Sequence, residues 1–86
     1  MNVQVFDTHV RTLEGAYLHF DVLIEGQDQE LDARHARDWL ASRGVMAEDV
    51  AQSRCQFCHS EPLVMFTAAQ QKEFKETGGF IISLPA

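Results

Sequence analysis

Two short segments of the chain mirror each other, and this limits the fold more than any other feature. Residues 3–10 read VQVFDTHV and residues 16–25 read AYLHFDVLIE. Phe6, Thr8 and Val10 in the first, and Leu18, Phe20, Val22 and Ile24 in the second, recur with a period of two, which predicts strands. Between them lies Leu13-Glu14-Gly15, and Gly15 suits the left-handed third position of a three-residue hairpin loop. Asp7-Thr8-His9 and His19-Phe20-Asp21 are mirror images about Glu14. A hairpin centred there sets His9 opposite His19 and Asp7 opposite Asp21. Side chains alternate between faces of a strand, so these four share the face opposite Phe6, Val10, Leu18, Phe20 and Val22. Opposed residues have Cβ atoms about 4.5–5.5 Å apart, and two opposed carboxylates destabilise each other unless a cation, a proton or an arginine such as Arg11 compensates. A solvated sheet face is the plainer reading of this patch, and a functional cluster the sharper one.

The rest of the chain predicts two helices and two further strands. Residues 28–43 carry Asp28 as N-cap, Glu30 in the first turn and Gly44 after the end, with Ala33, Ala36, Trp39 and Leu40 as the buried stripe. His35 lies at the edge of that stripe and reads as a boundary residue. Residues 50–58 predict a third strand and 79–84 a fourth. A second helix ends near Thr77 before Gly78. Its start has two readings: Thr67 with Gln70 as a capping box, or Ser60 ahead of Pro62. The order is ββαβαβ over 86 residues, enough for one domain. The expected fold is α+β: a single small domain spanning residues 1–86, its N-terminal hairpin in a mixed sheet with both helices on one face.

Both cysteines fall in Cys55-Gln56-Phe57-Cys58-His59. Cys-x-x-Cys-His is the attachment signature of c-type haem, but so small a domain has little room for a haem. Cys-x2-Cys also serves as half of a zinc site. The other half would have to come from the hairpin face, and in a regular strand residues three apart point to opposite sides. On that geometry Cys55, Phe57 and His59 share a side and Cys58 takes the other. If the second helix began at Ser60, Cys58 would sit at its N-terminus, where a thiolate is stabilised. The plainest reading leaves Cys55 packed beside Phe57 and Cys58 in a polar turn.

Composition removes several function classes. Thirteen acidic against seven basic residues give a net charge of −6. No basic cluster stands out in the sequence, so nucleic acid is not an expected partner. No window approaches the roughly 18 apolar residues of a membrane span. The opening MNVQVFDTHV lacks the features of a secretory signal. The expected location is the cytoplasm, with free thiols.

VFDTHV, HFDV, Ala-Arg-Asp-Trp-Leu and Cys-Gln-Phe-Cys-His-Ser-Glu together resemble a family of short bacterial proteins, domain of unknown function two thousand and twenty-four. The resemblance spans nearly the whole chain and implies a small α+β domain without an established activity. In the family pattern Tyr often stands at the position of His9. The resemblance therefore favours Asp7, His19, Asp21, Cys55, Cys58 and His59 as candidates.

Two functional readings stand open. The acidic surface and the lack of a recognisable catalytic set point to a non-enzymatic interaction or regulatory module, with a protein partner and no cofactor. The alternative is a metal-binding (zinc-like) or thiol-redox protein, with Asp7, His19, Asp21, Cys55, Cys58 and His59 as the metal candidates. This second reading expects the strand carrying Cys55 to lie next to the hairpin, within ligand reach of His19 and Asp21.

Overall fold

The computed structural model describes residues 1–85. Strand β1 spans Asn2–Thr12 and β2 Tyr17–Ile24; helix α1 spans Gln29–Ser42; β3 spans Val50–Pro62; helix α2 spans Ala68–Thr77; β4 spans Gly79–Leu84. Short 3₁₀ turns at Ala47–Asp49 and Leu63–Met65 flank β3.

The expected hairpin forms. Thr12 N–H donates to the Ala16 carbonyl at 2.9 Å, Gly15 N–H donates to the Thr12 carbonyl at 3.0 Å, and Gly15 has φ +93°. The β1–β2 register places Asp7 opposite Asp21 and His9 opposite His19. The helix signals also act as expected. The Asp28 side chain accepts from Glu30 N–H and Leu31 N–H. Thr67 and Gln70 form a capping box, and Gly78 closes α2 with φ +85°. The earlier start at Ser60 is excluded, because Ser60 lies inside β3.

The sheet has the order β3-β1-β2-β4, and every neighbouring pair is antiparallel. The expectation of a mixed sheet is corrected. The crossover through α1 joins β2 to β3, which run the same way, but β1 lies between them and no parallel neighbours result.

The helices cover opposite faces rather than one. Phe20, Val22, Ile24 and Val10 pack with Leu40 of α1, joined by Trp39, Ala36 and Leu31. Phe20 and Trp39 have ring centroids 4.4 Å apart, while Ala33 is exposed beside this stripe. On the other face Val3, Val5, Leu23 and Phe80 pack with Leu63 and with Phe74 of α2. The physical reason lies in Val3, Val5 and Leu23. They point opposite to Val22 and Ile24, so one end of the sheet is apolar on both sides and needs cover on both. The cover from α2 stops there. The other half of that face carries Asp7, His9, Arg11, Tyr17, His19 and Asp21.

Candidate metal centre

The open half-face is built by β1 and β2. Asp7 lies between two imidazoles: its Oδ1 is 2.6 Å from His19 Nε2 and its Oδ2 is 2.8 Å from His9 Nε2. The two rings stack with centroids 4.1 Å apart and planes 13° from parallel. Each imidazole is also held through its other nitrogen. His19 Nδ1 donates to the Pro85 carbonyl at 3.0 Å, and His9 Nδ1 hydrogen-bonds the Tyr17 hydroxyl. A carbonyl only accepts, so His19 Nδ1 carries a proton, and the short Nε2–Oδ1 contact needs a second one. The hydrogen bond to Asp7, then that to Pro85, accordingly raises the His19 pKa above 6.5. Partial burial works against ionisation of Asp7, but the hydrogen bonds and charges of His19 and His9 hold its carboxyl below 3.8. Burial, then the charge of Asp7, pushes Asp21 the other way, above 3.8.

One ligand atom from each of Asp7, His9 and His19 can be chosen so that all lie within 4.8 Å of one another. Tetrahedral ligands at the usual zinc distances of about 2.0–2.1 Å lie roughly 3.3 Å apart. Side-chain rotation of two partly exposed histidines covers that difference, and it must also tilt the near-parallel rings so that their lone pairs converge. The nitrogens facing Asp7 are both Nε2, and anchoring a ligating imidazole through its other nitrogen is the usual support of a metal site.

The third strand lies where the metal reading expects it, beside β1, but its cysteines do not reach the cluster. Cys55 is opposite Thr8, on the face covered by α1. The Thr8 hydroxyl donates to its sulfur at 3.5 Å, and its thiol donates to Asp32 Oδ2 of α1 at 3.0 Å. Burial, then the hydrogen bond to Asp32, pushes the Cys55 thiol up to about 11. Cys55 cannot share a coordination shell with His19 and Asp21 across the sheet. The β1–β3 register shifts between Val5 and Phe6, where Phe57 and His59 face consecutive β1 residues and Cys58 is the extra residue. This bulge overturns the regular alternation expected of CQFCH. Cys55 and Phe57 stay on the α1 face, with Phe57 edge-on to Phe6 at 5.6 Å, while His59 moves to the face of Val5. There His59 Nε2 meets Glu61 Oε1 at 3.0 Å, and its charge acts on Asp21. Cys58, in mid-strand, has no helix N-terminus beside it, which removes the motive for a redox thiolate. Of the sequence candidates, Asp7 and His19 thus come together, Asp21 and His59 flank them, and Cys55 and Cys58 stand apart. His9 joins the cluster, and the mirror register alone was the signal for it.

The family model described as Domain of unknown function (DUF2024) matches residues 1–84. The chain belongs to the DUF2024 family. As a DUF2024 protein it is similar in sequence and fold to protein NE1680 from Nitrosomonas europaea, a structural-genomics target solved by NMR. The two share 31% identity over 100% of this chain and 98% of the other, with a TM-score of 0.73. No curated protein matches the chain. The family assignment accords with the α+β order of this DUF2024 domain and carries no activity with it. Among the described residues, no helix of the domain is long and apolar enough to cross a membrane.

Proposed function

We propose that this domain binds a divalent transition metal such as zinc on the open half of its sheet, through Asp7, His9 and His19. One observation carries the reading: a carboxylate and two Nε2 atoms converge on adjacent strands, with each imidazole anchored behind by Pro85 or Tyr17. Two histidines and a carboxylate suit zinc and the imidazole-preferring metals. A metal bound here would take the place of the protons between Asp7 and the two Nε2 atoms. Three protein ligands leave one tetrahedral position for water or a ligand, as in sites that act on a bound molecule rather than serve only the fold. Calorimetric titration of tag-free protein with zinc tests this. The expected result is one zinc per chain, retained when both cysteines are changed to serine and lost in His9→Ala. Sub-stoichiometric uptake, or uptake that depends on the cysteines, contradicts it.

The exposed edge of the sheet supports a second reading, the interaction module. β3 runs for 13 residues with β1 on one side only. Phe57 is 43% exposed, and Val64 and Met65 just beyond the strand are 78% and 70% exposed. An unpaired edge is a template for an added strand. This reading predicts a partner that protects the outward amides of β3 from hydrogen exchange and is lost on Phe57→Glu. Unprotected β3 amides in every complex recovered would remove it.

A further inference from the structure

We infer that the hollow beside the Asp7–His9–His19 cluster binds a small oxyanion, gripped by Arg11 and Arg54. This deepens the metal reading by naming the ligand class that fits next to its open position, but the grip itself belongs to the arginines. The hollow lies between β1 and β3 and measures about 290 Å³. That is near the lower end of small-ligand pockets, which run from about 300 to 1,000 Å³. Its walls are almost all hydrogen-bond donors: Arg11, Tyr17, Gln52, Arg54 and Gln56, with Asp7 and His9 at the cluster end.

The register explains the convergence. Arg54 sits opposite His9 on the neighbouring strand, Gln56 opposite Asp7 and Gln52 opposite Arg11. With Tyr17 of β2, seven side chains from three strands therefore line the hollow on one face. The Arg11 guanidinium lies over the Tyr17 ring, 5.4 Å from its centroid, at the rim of the hollow. Among the described residues, no carboxylate pairs with either guanidinium. Asp7, the one acid lining the hollow, is engaged by two imidazoles. In a chain of net charge −6, the two guanidiniums of this hollow thus stand without a carboxylate partner among the described residues. Two guanidiniums offer the forked donors that match a carboxylate or phosphate. The carboxamides of Gln52 and Gln56 supply neutral donors beside them.

Carboxylates and phosphates share this chemistry, so the test has an arm for each. Isotope-labelled, zinc-free full-length protein is titrated with inorganic phosphate and, separately, with acetate, while backbone amides and arginine side-chain signals are followed. Sodium chloride at matched ionic strength is the control. Saturable shifts at Arg11, Gln52, Arg54 and Gln56 with either anion support the proposal, and the tighter arm names the source. Arg11→Gln and Arg54→Gln should each weaken binding at least tenfold, with the hairpin spectrum otherwise intact. Shifts that sodium chloride reproduces, no saturation with either anion, or binding unmoved by both substitutions overturns it. Zinc uptake is measured on the same preparation. A protein that binds phosphate but not zinc thus sinks the metal reading alone, and one that binds zinc but neither anion sinks this one alone.

Discussion

His19 Nε2 lies 2.6 Å from Asp7 Oδ1, reaching diagonally across the hairpin from the position opposite His9. This contact relieves the clash built into the mirrored sequence. Asp7 and Asp21 face each other across the ladder, and the cost of that opposition is met on the Asp7 side by two imidazoles. Among the described residues Asp21 has no such partner, and its carboxyl is the one whose pKa rises.

The contact makes stability depend on pH in a defined direction. Asp7 is lowered in the fold, so its contribution is complete above 3.8 and is lost as pH falls through its lower folded value. His19 is raised, so its contribution is complete below 6.5 and is lost as pH rises through its higher folded value. The pair therefore supports the metal-free protein most between those two values. Asp21 is raised, so it favours the fold when protonated and ceases to as pH rises through its folded value. Urea unfolding from below pH 3.8 to well above pH 6.5 should show stability falling on the alkaline side in the wild type and a flatter profile in Asp7→Asn. Equal profiles would separate the contact from stability.

Cys55 should be a slow nucleophile. Its side chain reaches solvent, so the shift and not access sets its rate: partial desolvation, then the hydrogen bond to Asp32, pushes the thiol up to about 11, and thiolate is the reactive form. In a Cys58→Ser background, the rate of alkylation should still be climbing above pH 9.0, the ordinary value, and Asp32→Asn should move the profile down. A profile centred at the ordinary value in both would contradict the contact with α1.

Gly79 opens β4 against β2, where no side chain fits. A Cβ there would meet the Leu23 carbonyl oxygen at 2.6 Å and Ile24 Cγ2 at 2.8 Å. Both belong to the sheet, so neither yields freely. Gly79→Ala should cost about 1–3 kcal/mol, the usual range for overpacking, measured by chemical unfolding. A neutral substitution would mean that β4 shifts without loss.

Phe74 tests the two-faced core. It is the buried residue of α2 and packs on Phe80, ring centroids 6.5 Å apart, on the side away from α1. Phe74→Ala should cost about 3–5 kcal/mol, comparable to Phe20→Ala on the opposite face. A cost under about 1 kcal/mol would show that α2 only rests on the sheet.

The hairpin and the helix ends were legible because short-range chemistry sets them. The period of two in residues 16–25, Gly15 in its loop, Asp28 as cap and Gly78 as stop all act within a few residues, whereas the start of the second helix stayed open between Ser60 and Thr67 until β3 was seen to run through Ser60. The faces of β3 were not legible. The extra residue at Cys58 moves His59 to the other side of the sheet, and no glycine or proline marks that bulge. That the two helices take opposite faces was not legible either, because Val3, Val5 and Leu23 demand cover only once their pairing with the rest of the sheet is known. Arg11 and Arg54 are far apart in sequence, and a scan for basic runs passes over two residues that share a hollow only through the pairing of β1 with β3.

The central claim is that Nε2 of both His9 and His19 takes up the metal, with the Nδ1 sides kept by Tyr17 and Pro85. Nitrogen-15 imidazole spectra of tag-free protein, recorded as zinc is added to one equivalent, read those atoms directly. The expected result is that the Nε2 signals of His9 and His19 shift together, that the Nδ1 signal of His19 stays in the protonated range, and that His35 and His59 do not move. Shifts confined to His59, or no imidazole shift at one equivalent of zinc, would contradict it.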